Sequence, residues 1–277
     1  MSCPNEAALL AIHTKELMVL GAQGELAARL YVPDSKAIYS SLVVFFHPGG
    51  FVCGGLEDVD GFTRALAHSC QVAVLSSTYT LACQHPFPAA AEDAHAVLMW
   101  ARKHAKKLRW DARFLLTAGI EAGGNLAASA SLMARDRSQP ILAAQILIMP
   151  MLDPGLSSDS MRAMCNKPQV AGVAAGCDKG YRDYLPRAAD RTHPYASPLH
   201  SSRLKGLAPA LLLSAEDDPL RDDAANYAQK LLDAGNVAHH VRLPAVPLQD
   251  AAARSDCARK EGALQEIKRF LTDLQVI

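Results

Sequence analysis

Four short segments carry the residues that could do chemistry. His47-Pro48-Gly49-Gly50-Phe51-Val52 puts two consecutive glycines directly after an apolar run, where the backbone can turn sharply and aim amide N–H groups into a pocket. Gly119-Ile120-Glu121-Ala122-Gly123-Gly124-Asn125 brackets a glutamate with glycines between a strand pattern and a helix pattern, so the helix N-terminus directs positive dipole at Glu121. The third is Ala215-Glu216-Asp217-Asp218-Pro219-Leu220-Arg221-Asp222. The fourth is Leu243-Pro244-Ala245-Val246-Pro247-Leu248-Gln249-Asp250. A pair of amides facing a carboxylate or a carbonyl is chemistry for binding or stabilising negative charge. A nucleophile–histidine–acid relay in the order Ser, Asp, His would further need a histidine after Asp218. Only His239 and His240 follow it. They stand next to each other in a strand pattern, so their side chains face opposite sides.

The elements that must position these segments alternate along the chain. Residues 14–20 and 26–32 read as an opening hairpin around Gly21 to Gly24. Leu42–Phe46, Val72–Ser76, Phe114–Ala118, Ala144–Met149, Ala210–Ser214 and Ala238–Leu243 read as further strands. The unbroken apolar run LVVFF predicts a strand buried on both faces. Helix patterns cover 59–69, 88–106 with Pro88 at the start, Ala122–Ala134, Arg221–Ala234 closed by Gly235, and 258–274. This alternation predicts an α/β fold: an eight-stranded, mostly parallel sheet flanked by helices on both faces. Catalytic or binding residues then belong at the carboxyl ends of the strands, where all four segments fall. The whole of 1–277 reads as a single domain, with a short N-terminal segment 1–14 and a cap insertion at 150–195, which lacks strand signals.

Composition narrows the function classes. Lys+Arg and Asp+Glu both number 28, so no net field invites nucleic acid or an anionic membrane. No apolar run approaches the roughly 20 residues of a membrane-spanning helix, and the N-terminus does not read as a secretion signal. The seven cysteines (3, 53, 70, 83, 165, 177, 257) form no CxxC pair and are odd in number. That argues against a disulfide framework or zinc site and for a reducing cytoplasm. No spacing among Glu121, Asp217 and Asp218 marks a cation site, and no cofactor or metal is expected.

Five motifs occur in the order found in the bacterial acetyl esterases of the hormone-sensitive-lipase family. They are HPGGFVCG at 47–54, YTLACQHPFPAAAED at 79–93, GIEAGGNLAA at 119–128, HPYASPL at 193–199 and AEDDPLRD at 215–222. The chain resembles that family from about residue 15 to its end, and the resemblance implies an α/β-hydrolase fold. It places the nucleophile serine on Glu121, the preceding aspartate on Ile120, the triad acid on Asp218 and the general-base histidine on Leu248. It gives Gly49, Gly50 and Ala122 as the oxyanion donors, His47 and His85 as structural residues, and a possible homodimer through the last strand.

The departures decide the functional expectation. A serine hydroxyl is a poor nucleophile until an imidazole takes its proton, and Glu121 with Leu248 supplies neither. The longer glutamate side chain could reach the amides of Gly49, Gly50 and Ala122 and fill the anion site itself. Asp218 then has a structural role, accepting bonds from the backbone or Arg221. Cys53, near the pocket mouth, reads as a small buried apolar residue. The resulting expectation is a non-hydrolytic protein that binds a small ester or carbonyl compound or acts in regulation, for which the plant gibberellin receptors offer a precedent. The alternatives are a lyase, isomerase or cyclase using Glu121 as acid or base, and a weak carboxylesterase.

Overall fold

The computed structural model describes residues 11–164, 171–245 and 261–277. In chain order the elements are β1 (His13–Leu20), β2 (Glu25–Val32), β3 (Tyr39–Phe46), α1 (Asp60–Cys70), β4 (Ala73–Ser77), α2 (Ala89–Lys103) and β5 (Trp110–Ile120). There follow α3 (Ala122–Asp136), β6 (Ala144–Ile148), α4 (Asp159–Met164), α5 (Ala171–Tyr184), β7 (Ala210–Ala215), α6 (Arg221–Asp233), β8 (Ala238–Leu243) and α7 (Glu261–Asp273).

The strands form one eight-stranded sheet in the order β1-β2-β4-β3-β5-β6-β7-β8. Only the β1–β2 and β2–β4 pairs are antiparallel; the rest run parallel. The expected architecture is thus the observed one. The sheet is sandwiched because its central strands are apolar on both faces. In β3, Leu42, Val44 and Phe46 join the cluster that α2, α3 and α6 cover. Val43 and Phe45 join the opposite cluster, under α1 and α7.

Several boundaries differ from the sequence expectation. Strand β5 extends from 110 to 120, well beyond Phe114–Ala118, because Trp110 docks its indole N–H on the Ser40 carbonyl and lengthens the pairing with β3. The 88–106 helix ends at Lys103 and gives way to a 3-10 turn at 105–108. Among its described residues, segment 150–195 carries no strand. It holds α4 and α5, the latter presenting Ala174, Cys177, Tyr181 and Tyr184 inward at helical spacing.

Candidate functional site

Strand β5 buries its last six residues and then breaks at Glu121, whose φ of 56° and ψ of −113° lie outside the regions open to ordinary residues. Such strain costs on the order of 1–3 kcal/mol and persists only where the surroundings enforce it. They do so here by close approach. A Cβ on Gly119 would collide with the Gly123 carbonyl, and one on Gly123 with the Phe46 carbonyl. The backbone of Glu121 is also fastened at both ends: its N–H donates to Ile148 O at 2.9 Å, and its carbonyl accepts from Met151 N at 3.1 Å.

The loop after β3 meets this turn. Gly49 (φ 129°) and Gly50 (φ 58°) sit in the backbone region that favours glycine, and a Cβ on Gly49 would strike the Cys53 carbonyl. The chain therefore curls until two successive amides point the same way. Gly49 N donates to Glu121 Oε2 at 2.7 Å and Gly50 N to the same oxygen at 3.2 Å. The glutamate is 8% exposed. Ala122, the third donor expected from sequence, is buried as the first residue of α3. His47 fixes the loop start. Its Nδ1 lies 2.7 Å from Pro48 O, and its ring stacks on Tyr79 at 4.3 Å between centroids. Burial pushes the His47 imidazole below its usual pKa and favours the neutral ring.

Asp218 lies fully buried in the turn after β7, with Oδ1 accepting from Leu220 N at 2.9 Å. A backbone amide therefore reaches the Asp218 carboxylate, and the guanidinium of Arg221 lies elsewhere. That side chain turns to Glu216 O at 2.7 Å and to Asp222. Leu248 falls outside the described residues. All ten histidines fall within them. His240 Nε2 meets Ser214 Oγ at 2.9 Å, whereas His239 packs edge-on against Phe270, so the two rings leave β8 on opposite faces.

Two amides converging on one oxygen from a loop after β3, facing a strained turn between β5 and a helix, can stabilise negative charge at that point. Comparison with known proteins identifies the family. Residues 43–248 match the family model described as the alpha/beta hydrolase fold. The chain belongs to the α/β-hydrolase fold family. It is 36% identical over 222 residues to an arylesterase of Saccharolobus solfataricus, covering 80% of this chain and 72% of that one. It is 35% identical over 230 residues to the carboxylic ester hydrolase LipN of Mycobacterium tuberculosis, covering 81% of this chain and 60% of that protein. The hyperthermophilic esterase from Pyrobaculum calidifontis superposes with a TM-score of 0.86 at 33% identity, over 96% of this chain and 87% of that one.

Around this hydrolase-fold site the structure corrects one expectation and adds residues the motifs did not show. Cys53 is exposed, not buried: the tight curl from Gly49 carries it outward, and its Sγ rests on Gly49 O at 3.3 Å. Partial burial and then the Glu121 charge still push its thiol pKa up, so it is a poor nucleophile. Helix α5 closes over the loop. A Cβ on Gly180 would run into the Gly50 carbonyl. Tyr184 stacks on Phe51 at 3.9 Å and accepts Phe87 N at 2.9 Å through its carbonyl. The i, i+3, i+4 pattern of Ala174, Cys177, Tyr181 and Tyr184 was the available signal for this packed face. A carboxylate pair, Asp153 and Asp223, sits where the chain leaves β6 and α6 begins. Asp223 Oδ2 takes Leu152 N at 3.4 Å and Asp153 N at 3.3 Å. Among the described residues no group of three or more His, Cys, Asp or Glu is arranged to hold a metal ion, and no helix is long and apolar enough to cross a membrane.

Proposed function

We infer that this esterase-fold protein binds a small ester or carbonyl compound without turning it over by serine-type hydrolysis. The observation that carries the reading is the pair of bonds from Gly49 and Gly50 to Glu121 Oε2. The donors that would stabilise an oxyanion are already engaged by the protein's own carboxylate. A ligand carbonyl reaches them only by displacing a charge-assisted pair, which is stronger than an ordinary amide–carbonyl bond. The resemblance puts Glu121 at the nucleophile position and Leu248 at the histidine position. The six histidines with hydrogen bonds (47, 95, 104, 193, 200 and 240) bond groups other than Glu121 and Asp218. A relay that loses such members keeps at most ~10³–10⁴-fold acceleration over water from binding and the oxyanion donors.

The test is hydrolysis of short p-nitrophenyl esters by the unaltered chain and by Glu121→Gln and Glu121→Ala. Negligible turnover in all three, with saturable binding of a small carbonyl compound by the unaltered chain, is the expected result. A rate like that of ordinary esterases overturns it. Turnover that Glu121→Gln abolishes would instead establish Glu121 as an acid or base. The similarity to esterases favours a second reading, weak carboxylesterase activity; turnover unaffected by Glu121→Ala would support it. Glu121→Ser alone is expected to restore nothing, since Leu248 remains. Glu121→Ser with Leu248→His is the combination that gives Asp218 an imidazole to orient.

A further inference from the structure

A cleft of about 620 Å³ opens between the β1–β2 hairpin tip and the segment that follows β4. It is separate from the Glu121 corner: Gly49, Gly50, Glu121 and Asp218 do not line it. Its size falls within the range of small-molecule sites. Its two walls are tied together by one buried carboxylate, Asp93 of α2. Asp93 Oδ1 accepts Ala22 N at 2.7 Å and Gln23 N at 3.1 Å from the hairpin tip, and Oδ2 accepts Thr80 N at 2.8 Å from the facing segment. A fourth bond, Thr78 N to Ala27 O at 2.9 Å, closes the base. The cleft therefore has a fixed shape.

Its lining defines what fits. Gln23, Glu25, Thr78, Thr80, Gln84 and His85 supply side-chain amides, hydroxyls, an imidazole and one carboxylate, groups that accept and donate in both directions. Leu26, Ala27 and Leu81 give apolar floor for C–H surface. Among the described residues no Lys or Arg lines it, so an anionic ligand meets Glu25 with no counter-charge. His47 forms part of the wall. Its Nδ1 donates to Pro48 O, and its Nε2 is enclosed with no hydrogen-bond partner among the described residues. That inventory suits a ligand bearing several hydroxyls and no negative charge. We propose that this cleft is a second ligand site, for a neutral polyhydroxylated compound of monosaccharide size.

The experiment is an amide chemical-shift titration of the full chain with D-glucose and with D-glucose 6-phosphate, repeated on Gln84→Ala and Glu25→Ala, both at exposed positions. The expected result is saturable shifts with D-glucose at Gln23, Gly54, Thr80 and Gln84. Each variant is expected to weaken binding ~5-fold or more, and the phosphorylated sugar to bind ~10-fold more weakly. The proposal is overturned by shifts that do not saturate, by shifts centred on Gly49 and Gly50, by affinities that ignore both variants, or by phosphorylated sugar binding as tightly as glucose.

Discussion

Glu121 follows β5 and Asp223 opens the helix after β7, so strand β6 runs between two buried carboxylates in contrasting surroundings. Glu121 meets two amides at 2.7 and 3.2 Å on a single oxygen, in a loop whose glycines have no other evident purpose than to turn those amides inward. Asp223 receives its two amides at 3.4 and 3.3 Å, and its Oδ1 is buried with no hydrogen-bond partner among the described residues. Asp153 stands beside it with a far better set: Gly155 N at 2.7 Å, Ser157 N at 2.9 Å, Ser157 Oγ at 2.6 Å and His200 Nε2 at 2.9 Å. Burial pulls the Asp153 carboxyl up, but the Ser157 hydroxyl and amide, His200 and Gly155 outweigh it and hold it below its usual range. Asp223, by contrast, is pushed up to about 7, first by burial and then by the Asp153 charge. The comparison teaches that depth does not decide what a buried acid does; the number and length of its donors do.

The largest effect expected from disturbing this contrast is at the turn itself. Gly123→Ala places a methyl group against the Phe46 carbonyl, which belongs to the central strand and cannot withdraw. The expected loss is ~3 kcal/mol or more, read as a fall in the urea midpoint. If the variant kept full stability, the claim that close approach enforces the Glu121 backbone would fail. Next in size is Glu121→Gln. The amide oxygen can still accept from Gly49, but the charge that strengthened both bonds is gone, and ~2 kcal/mol of stability should go with it near neutral pH. An equal stability for Gln and Glu would mean that the amide pair contributes nothing specific to a carboxylate.

Much of this contrast was legible before any coordinates. The glycine pairs at 49–50 and 123–124 and the lone acid at 121 announced a tight turn facing an amide corner, because steric need for glycine is written in the residue itself. The apolar runs announced the sheet, and LVVFF its buried centre. The Asp153–Asp223 pair was not legible. The two residues are 70 positions apart, and an aspartate in a polar segment carries no mark of burial. Nor did the sequence place α5 over Gly50, since that contact depends on how residues far along the chain return to the loop. Cys53 misled for a related reason: small and apolar as a residue type, it was thrown outward by the curl that the preceding glycines permit. Local geometry reads from spacing, and long-range neighbours do not.

The smallest predicted effect is the most pointed, because it reverses sign. Asp223→Asn makes the same chemical change as Glu121→Gln, carboxylate to amide, yet it should stabilise the protein. The usual aspartate value is 3.8 and the folded one about 7. Below about pH 3 both states hold the proton and the group is silent. As pH rises from there towards 7, the unfolded chain ionises while the folded chain keeps its proton, so stability falls with pH and levels off above 7. The full difference corresponds to on the order of 4 kcal/mol. Asparagine escapes that loss but still buries an amide of its own, which leaves an expected gain of ~1–2 kcal/mol around pH 8 that shrinks as pH falls and is gone below about pH 3. Urea unfolding of both chains across this range reads the effect as a difference between them. A gain that does not depend on pH would trace the stabilisation to packing rather than to charge. A loss at pH 8 would mean that Asp223 is as well served by its donors as Glu121, and the contrast between the two corners would collapse.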